Sequence, residues 1–250
     1  MFETQFYNSI KNHNYINVFF LSLISTLLLG VLNYFVGGNA LFLVAFISLA
    51  IAFPIIKYFK KLNSEEIKRI YSANKLINTH IEEMIAIWSV FVGVTVGFYI
   101  TLITGLTTQL QYHKAFTNQL QGMITDFTSS FLVILINNLT VTFFTFLLSI
   151  LIFSGFIFVI VWNASLVAYY IYTLQNSATA LITSLLLLPH ALLEIGGYIL
   201  AGIAGGLLAY RFDVWNTFSQ KEKKEFRKDF TLLIISSIVF IFLGAMVEAL

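Results

Sequence analysis

Three ionisable side chains lie in stretches of the chain that are otherwise apolar. His190 and Glu194 fall in the run LLPHALLEIGGYILAGIAGG, and Glu248 falls in LGAMVEAL. A charge in a membrane-spanning helix costs about 3 kcal/mol on insertion scales, so it persists only beside a partner or water. Because His190 and Glu194 are four residues apart, a helix places them on one face. We expect that face to point into the protein interior.

Buried amides are the candidate partners for that face. The other polar side chains of interest in apolar stretches are three asparagines: Asn137, Asn138 and Asn163. We predict a buried polar network in which His190 and Glu194 meet one or more of these amides, with Glu248 nearby, because an inward carboxylate can share hydrogen bonds. Two roles stay open for the network: hydrogen bonding between helices, or the handling of a proton, an ion or a metal.

No complete catalytic or metal-binding motif is present. His-x-x-x-Glu spacing suits zinc ligands, but one histidine and one glutamate supply half a site, and the chain has no His-Glu-x-x-His motif and no cysteine. We therefore predict no catalytic residue, no metal and no cofactor. The alternative is an intramembrane hydrolase that holds a metal between His190, Glu194 and Glu248.

The composition indicates a membrane protein. Of 250 residues, 58% are hydrophobic and only 10% are charged, whereas soluble domains average roughly 25% charged residues. A soluble protein this apolar would expose large sticky patches. The lipid bilayer is thus the expected surrounding, and nothing indicates a nucleic-acid partner.

Seven apolar runs are long enough to cross a membrane, which needs about 20 residues each. The predicted fold is an all-α, polytopic transmembrane helix bundle, with a turn at Ser154–Gly155 inside its longest apolar stretch. The runs are Ile16–Val36, Ala40–Ile56, Ile85–Leu106, Phe127–Leu151, Phe153–Leu174, Ala180–Tyr210 and Phe230–Leu250.

Basic residues predict the orientation. Twelve of the fourteen lysines and arginines lie between spans two and three or between spans six and seven. Basic loops stay cytoplasmic, and the even number of intervening spans puts both loops on one side. We predict a multi-pass protein of the cell membrane with a cytoplasmic N-terminus and an extracytoplasmic C-terminus.

Two connecting segments are predicted to be amphipathic helices. Residues 61–84 would lie on the cytoplasmic surface, with Asn63 as the helix cap, between the two spans of residues 1–60 and a membrane domain over residues 85–250. A second interfacial helix would lie outside. Its apolar stripe consists of Phe116, Leu120, Met123 and Phe127.

The sixth span has two special features. Pro189 lacks an N–H and clashes with the preceding turn, so we predict that the span is kinked or broken there. Small residues then recur every fourth position and allow close helix packing. The small-residue faces comprise Gly197, Ala201, Gly202, Gly205 and Gly206, with Gly93 and Gly97 on span three as a possible partner face. Two such faces exceed the need of one internal contact, so we expect a homodimer.

The sixth span also carries a family resemblance. LLPHALLEIGGYILAGIAGGLLAY resembles the signature helix of the stage II sporulation protein M family (SpoIIM), which reads Pro-His-Gly-x-x-x-Glu before a Gly/Ala-rich helix. Pro189, His190 and Glu194 match this pattern, and Ala191 replaces its glycine.

Two further stretches extend the resemblance over about Ile85–Leu250. ILINNLTVTFFTFLLSILIFSG is similar to the family's Asn-Asn helix, and LGAMVEAL is similar to its closing helix with an acidic residue. Between them Asn163 is kept, while Ala164 and Ala168 stand where the family has glycine.

The resemblance implies a membrane protein without established catalysis, whose relatives in spore formers look like anchors for peptidoglycan-degrading enzymes. We therefore expect a non-enzymatic membrane scaffold or partner-binding subunit, with a cell-envelope protein as its partner. The alternative is a transporter or channel component that uses the buried His/Glu/Asn set for a proton, an ion or a small solute.

Overall fold

Eight α-helices make up nearly all of the chain that the structure, a computed structural model, describes: residues 2–62, 76–106, 127–152, 154–174, 180–214, 216 and 218–249. The helices are α1 (Phe2–Lys11), α2 (Tyr15–Val36), α3 (Ala40–Leu62), α4 (Leu76–Ile103), α5 (Phe127–Leu151), α6 (Phe156–Leu174), α7 (Ala180–Val214) and α8 (Gln220–Ala249).

Helices α2 to α8 are the seven membrane spans. Each contains a window that is long and apolar enough to cross a bilayer. The predicted all-α bundle of seven spans is therefore confirmed. The fourth and fifth spans separate between Leu151 and Phe156, with turn residues at Ser154 and Gly155.

Helix α1 is an addition to the two membrane helices that the sequence predicts for residues 1–60. It is amphipathic, buries Phe6 and Ile10 against α2 and α3, and exposes most of its polar residues. Glu3 in its first turn forms an ion pair with Lys57 of α3 at 3.1 Å. At ten residues it is too short to span a membrane, so a search for apolar runs passes over it.

The two predicted amphipathic helices fall mostly outside the described residues. The cap at Asn63 and most of the segment 61–84 lie there, as do Phe116, Leu120 and Met123. The described parts show α3 extending to Leu62 and α4 beginning at Leu76.

Helix α6 packs against four other helices. It contacts α3, α4, α5 and α7. Its contact face is built from small and β-branched residues, and Ile160, Ala164 and Ala168 have no exposed surface. The two alanines that replace family glycines thus occupy fully packed positions.

Of the two outcomes predicted at Pro189, a kink or a break, the break is not seen, since α7 continues as one helix of 35 residues through this proline. A proline removes a single N–H, and membrane helices tolerate that loss when neighbouring groups compensate. Pro54 lies inside α3 in the same way. The excess length of the sixth apolar run is therefore accommodated by one long helix.

Glycines set the closest helix contacts. A methyl group placed on Gly97 would lie 2.6 Å from Cβ of Thr26, so α2, and not the glycine-rich α7, is the partner of this face of α4. On α7 a methyl on Gly197 would lie 2.7 Å from Ile241 of α8, and one on Gly205 would lie 2.7 Å from Ser149 of α5.

The other small residues of these faces are also inside the bundle. Gly93 faces α2, Gly202 faces Phe156 of α6, and Ala201 and Gly206 are buried. Partners within the chain therefore occupy the faces that suggested self-association, and the homodimer stays a prediction without support from them.

Candidate functional site

One ionisable cluster joins α7 to α8. His190, Glu194 and Glu248 each place a ligand atom within 4.8 Å of the others. Helical spacing accounts for the first two residues, which are one turn apart on α7. Gly244 accounts for the third, because a methyl at this position would lie 3.0 Å from Cγ of Glu194, so α8 approaches α7 closely and delivers Glu248 one turn later. We call these three residues the His190 cluster.

Three polar side chains support this cluster. Asn138 of α5 donates a hydrogen bond to Oε1 of Glu194. The Oδ1 atom of Asn138 accepts from the hydroxyl of Tyr198 at 3.1 Å and from Asn137 at 3.2 Å. Asn138 and Tyr198 are 5% and 2% exposed, so this chain of bonds fixes the Glu194 carboxyl group from the buried side.

The two carboxyl groups of the His190 cluster need a proton or a cation between them. Two carboxyl groups lie together, and the sequence has no lysine or arginine in residues 127–210 or 229–250, which form the surrounding segments. Like charges in a poorly hydrated site cannot both persist without a proton or another cation. His190 can contribute one positive charge when it is protonated. Glu194 and His190 are half-buried and Glu248 is exposed, so the cluster opens at the surface of the bundle.

Asn163 is not part of this arrangement. It is half-buried on α6 and donates to the carbonyl of Val159 in its own helix at 2.8 Å. Of the three asparagines singled out in the sequence, Asn138 contacts Glu194, Asn137 reaches it through Asn138, and Asn163 bonds within α6.

A second buried cluster is absent from the sequence-based expectations. His80 lies between Glu83, whose Oε2 is 2.9 Å from Nδ1, and Asp229, whose Oδ2 is 2.9 Å from Nε2. The three residues are 8%, 5% and 4% exposed. We call them the His80 cluster; it connects the first turns of α4 to the first third of α8.

Local sequence explains why this cluster forms and why it is hard to foresee. His80 and Glu83 share a face of α4 because they are three residues apart. Asp229 follows the basic stretch KEKKEFRK, which makes it look like part of a solvated loop. One signal in the sequence could have indicated the contact. His80 and Asp229 lie at the starts of the third and seventh spans, and the basic loops predict that both spans start on the same side of the membrane.

Both ring nitrogens of His80 face carboxylate oxygens. Only a doubly protonated ring can donate to both, because the neutral ring has one donor and one acceptor. The geometry therefore suits an imidazolium between two carboxylates. Such a buried arrangement ties α4 to α8 and leaves one excess negative charge.

In the described residues, fold and sites together define a multi-span, all-helical membrane protein with ionisable clusters at its helix interfaces. The profile of the family described as stage II sporulation protein M matches residues 85–250, which is more than half of the chain, so the chain belongs to the SpoIIM family. The matched region contains α5 to α8 and most of the membrane part of α4. Comparisons with curated proteins and with solved structures found no match.

Proposed function

We propose that the chain is a non-enzymatic membrane scaffold that binds a protein partner of the cell envelope. The observation that carries this proposal is the close packing of the helices. Cβ atoms have no room at Gly97 against α2, at Gly202 against α6 or at Gly205 against α5. Packing of this kind favours one rigid arrangement, which suits a platform that positions another protein.

The family supports the same proposal. The description stage II sporulation protein M names a stage of spore formation, and the resemblance implies anchoring of peptidoglycan-degrading enzymes. A cell-wall hydrolase is accordingly the expected class of partner. The fold alone does not determine this role, because one fold hosts many functions.

Purification from native membranes tests the scaffold. The chain, carrying an affinity tag at its N-terminus, should retain an envelope protein at near-equal molar amount in several detergents, and alone it should show no turnover. A Gly205→Leu variant should lose this partner, because the added side chain would separate α7 from α5. Thr140→Leu adds bulk on an exposed position of α5 and should keep it. Absence of a stoichiometric partner in every detergent would contradict the proposal.

A transporter or channel component is the second candidate, and α8 provides the observation that favours it. Asp229 and Glu248 belong to different ionisable clusters and are 19 residues apart in the sequence. At 1.5 Å per residue this separation is about 28 Å, close to the thickness of the hydrocarbon core. Ionisable residues in spans often mark proton or ion pathways.

Flux measurements distinguish the two candidates. Proteoliposomes containing the purified chain should show no proton or ion flux above empty vesicles if the scaffold is correct. Flux that disappears in His190→Ala or Glu194→Gln, in a protein that remains folded, would establish the transporter instead.

A further inference from the structure

We propose that the His190 cluster binds one divalent transition-metal ion, with Zn²⁺ as the best match, through His190, Glu194 and Glu248. The site lies where α8 meets the N-terminal half of α7. The proposal does not depend on the scaffold, and it shares His190 and Glu194 with the transporter candidate. From sequence spacing alone, one histidine and one glutamate make half a site. The contact between α7 and α8 supplies the third ligand.

The distances suit a metal centre. The three ligand atoms lie within 4.8 Å of one another. In a tetrahedral zinc site with bonds of about 2.0–2.1 Å, ligand atoms are separated by roughly 3.4 Å. Glu248 is exposed, so its side chain can rotate to close the remaining distance without disturbing buried packing. Three protein ligands leave a fourth position for water or another ligand.

The ligand set selects the type of metal. Imidazole nitrogen suits zinc, iron, nickel and copper, whereas Mg²⁺ and Ca²⁺ prefer oxygen ligands in larger number. One histidine with two carboxylates therefore favours a transition metal. A divalent ion also neutralises the two carboxylates, which no lysine or arginine in the surrounding segments can do.

The supporting hydrogen bonds resemble those that orient metal ligands. Asn138 holds one oxygen of Glu194, and Tyr198 holds Asn138 at 3.1 Å. Such outer partners fix ligand orientation and typically contribute 10–100-fold, roughly, to metal affinity. In this proposal, the hydrogen bonds from Tyr198 through Asn138 orient the Glu194 carboxylate as a metal ligand.

The His80 cluster lacks this convergence, although it also consists of one histidine and two carboxylates. Its two carboxylates bond to opposite nitrogens of one ring, at 2.9 Å each. The ring therefore stands between the carboxylates, and the three groups do not point at a common centre. The geometry of the His80 cluster therefore does not suit a metal ion in the way that the geometry of the His190 cluster does.

Metal titration of the purified chain tests the proposal. The protein should carry an N-terminal tag without histidines, be stripped with a chelator, and be titrated with Zn²⁺ by calorimetry and with Co²⁺ by visible absorption. We expect one Zn²⁺ per chain and Co²⁺ bands typical of a four-coordinate site. Glu248→Gln should fold normally, because the side chain is exposed, and should weaken binding by more than the roughly 10–100-fold typical of losing an outer partner, since it removes a ligand. Asn138→Ala should weaken it by roughly 10-fold or more.

Glu225→Gln is the matched control, since it removes a carboxylate from α8 that lies outside the cluster. It should bind the metal as the parent chain does. Two results would overturn the proposal: a folded parent chain that binds no stoichiometric Zn²⁺, or binding that is unchanged in both Glu248→Gln and His190→Ala, which would place the ion elsewhere.

Discussion

Glu194 combines two properties that substitution can separate, namely its shape as a hydrogen-bond acceptor and its charge. Asn138 donates to it, and Asn138 in turn accepts from Tyr198 and Asn137. Removing the acceptor leaves a buried amide unsatisfied, whereas glutamine retains a carbonyl oxygen at the same place.

We therefore expect Glu194→Ala to lower the free energy of unfolding by about 1–3 kcal/mol and Glu194→Gln to lower it by less. Unfolding in mixed micelles by increasing denaturing detergent measures both values. Equal losses for the two variants would mean that charge, and not hydrogen bonding, stabilises this contact. Activity lost in a stable Glu194→Gln variant would favour a proton or ion role.

His80 permits a sharper test, because it is the only basic member of its cluster. Its removal leaves Glu83 and Asp229 buried near each other without a partner, and breaking a buried ion pair from one side costs about 3–5 kcal/mol. We expect His80→Ala to be destabilised by that amount, and the double variant His80→Ala/Asp229→Ala to be no less stable than His80→Ala alone.

The same unfolding assay completes this cycle. The control is His13→Ala, which removes an exposed histidine 3.6 Å from Glu82 and should cost less than about 1 kcal/mol. Strictly additive losses for His80→Ala and Asp229→Ala would show that the two residues do not interact.

At the scale of elements, the packing of α2 on α4 predicts that one substitution lowers stability and that a second one, on the facing helix, restores it. A methyl on Gly30 would lie 2.7 Å from Cγ2 of Thr101. We expect Gly30→Ala to lower stability by about 1–3 kcal/mol through overpacking. Adding Thr101→Ser removes that methyl and keeps the hydroxyl that donates to Phe98, so the double variant should recover most of the loss.

Thermal unfolding in detergent checks the pair, with Thr101→Ser alone as reference. A double variant as unstable as Gly30→Ala would mean that the loss does not come from this contact.

Helices were more predictable than their contacts. Length and hydropathy suffice for the seven spans, because each must satisfy its backbone in lipid. The partner of Gly97 could not be read from its spacing, since a small residue permits a close approach without specifying the helix that makes it. The sequence left a kink and a break at Pro189 as alternatives, because a proline removes one N–H without specifying how neighbouring groups compensate for it. The His80 cluster depends on how α4 and α8 meet, which local patterns do not encode.

For the whole molecule, the basic residues predict an orientation in the membrane with the N-terminus in the cytoplasm. The chain contains no cysteine, so single cysteines can be introduced without a background. We expect a membrane-impermeant maleimide added to intact cells to label Thr104→Cys and to leave Thr4→Cys and Ser219→Cys unlabelled until the membrane is opened. The reason is the placement of basic residues, which keeps their loops cytoplasmic.

All three positions are exposed in the folded chain, so poor access does not explain a negative result. Labelling of Thr4→Cys in intact cells, with none at Thr104→Cys, would reverse the predicted orientation.

Helix α8 is anchored along its length at two points on different neighbours. Asp229 contacts His80 of α4, and Glu248 meets His190 and Glu194 of α7. A slide of α8 by one helical turn, about 5.4 Å, would break both contacts in the same step. The helix therefore has a defined axial register, and neither ionisable cluster can form without the register that the other one also needs.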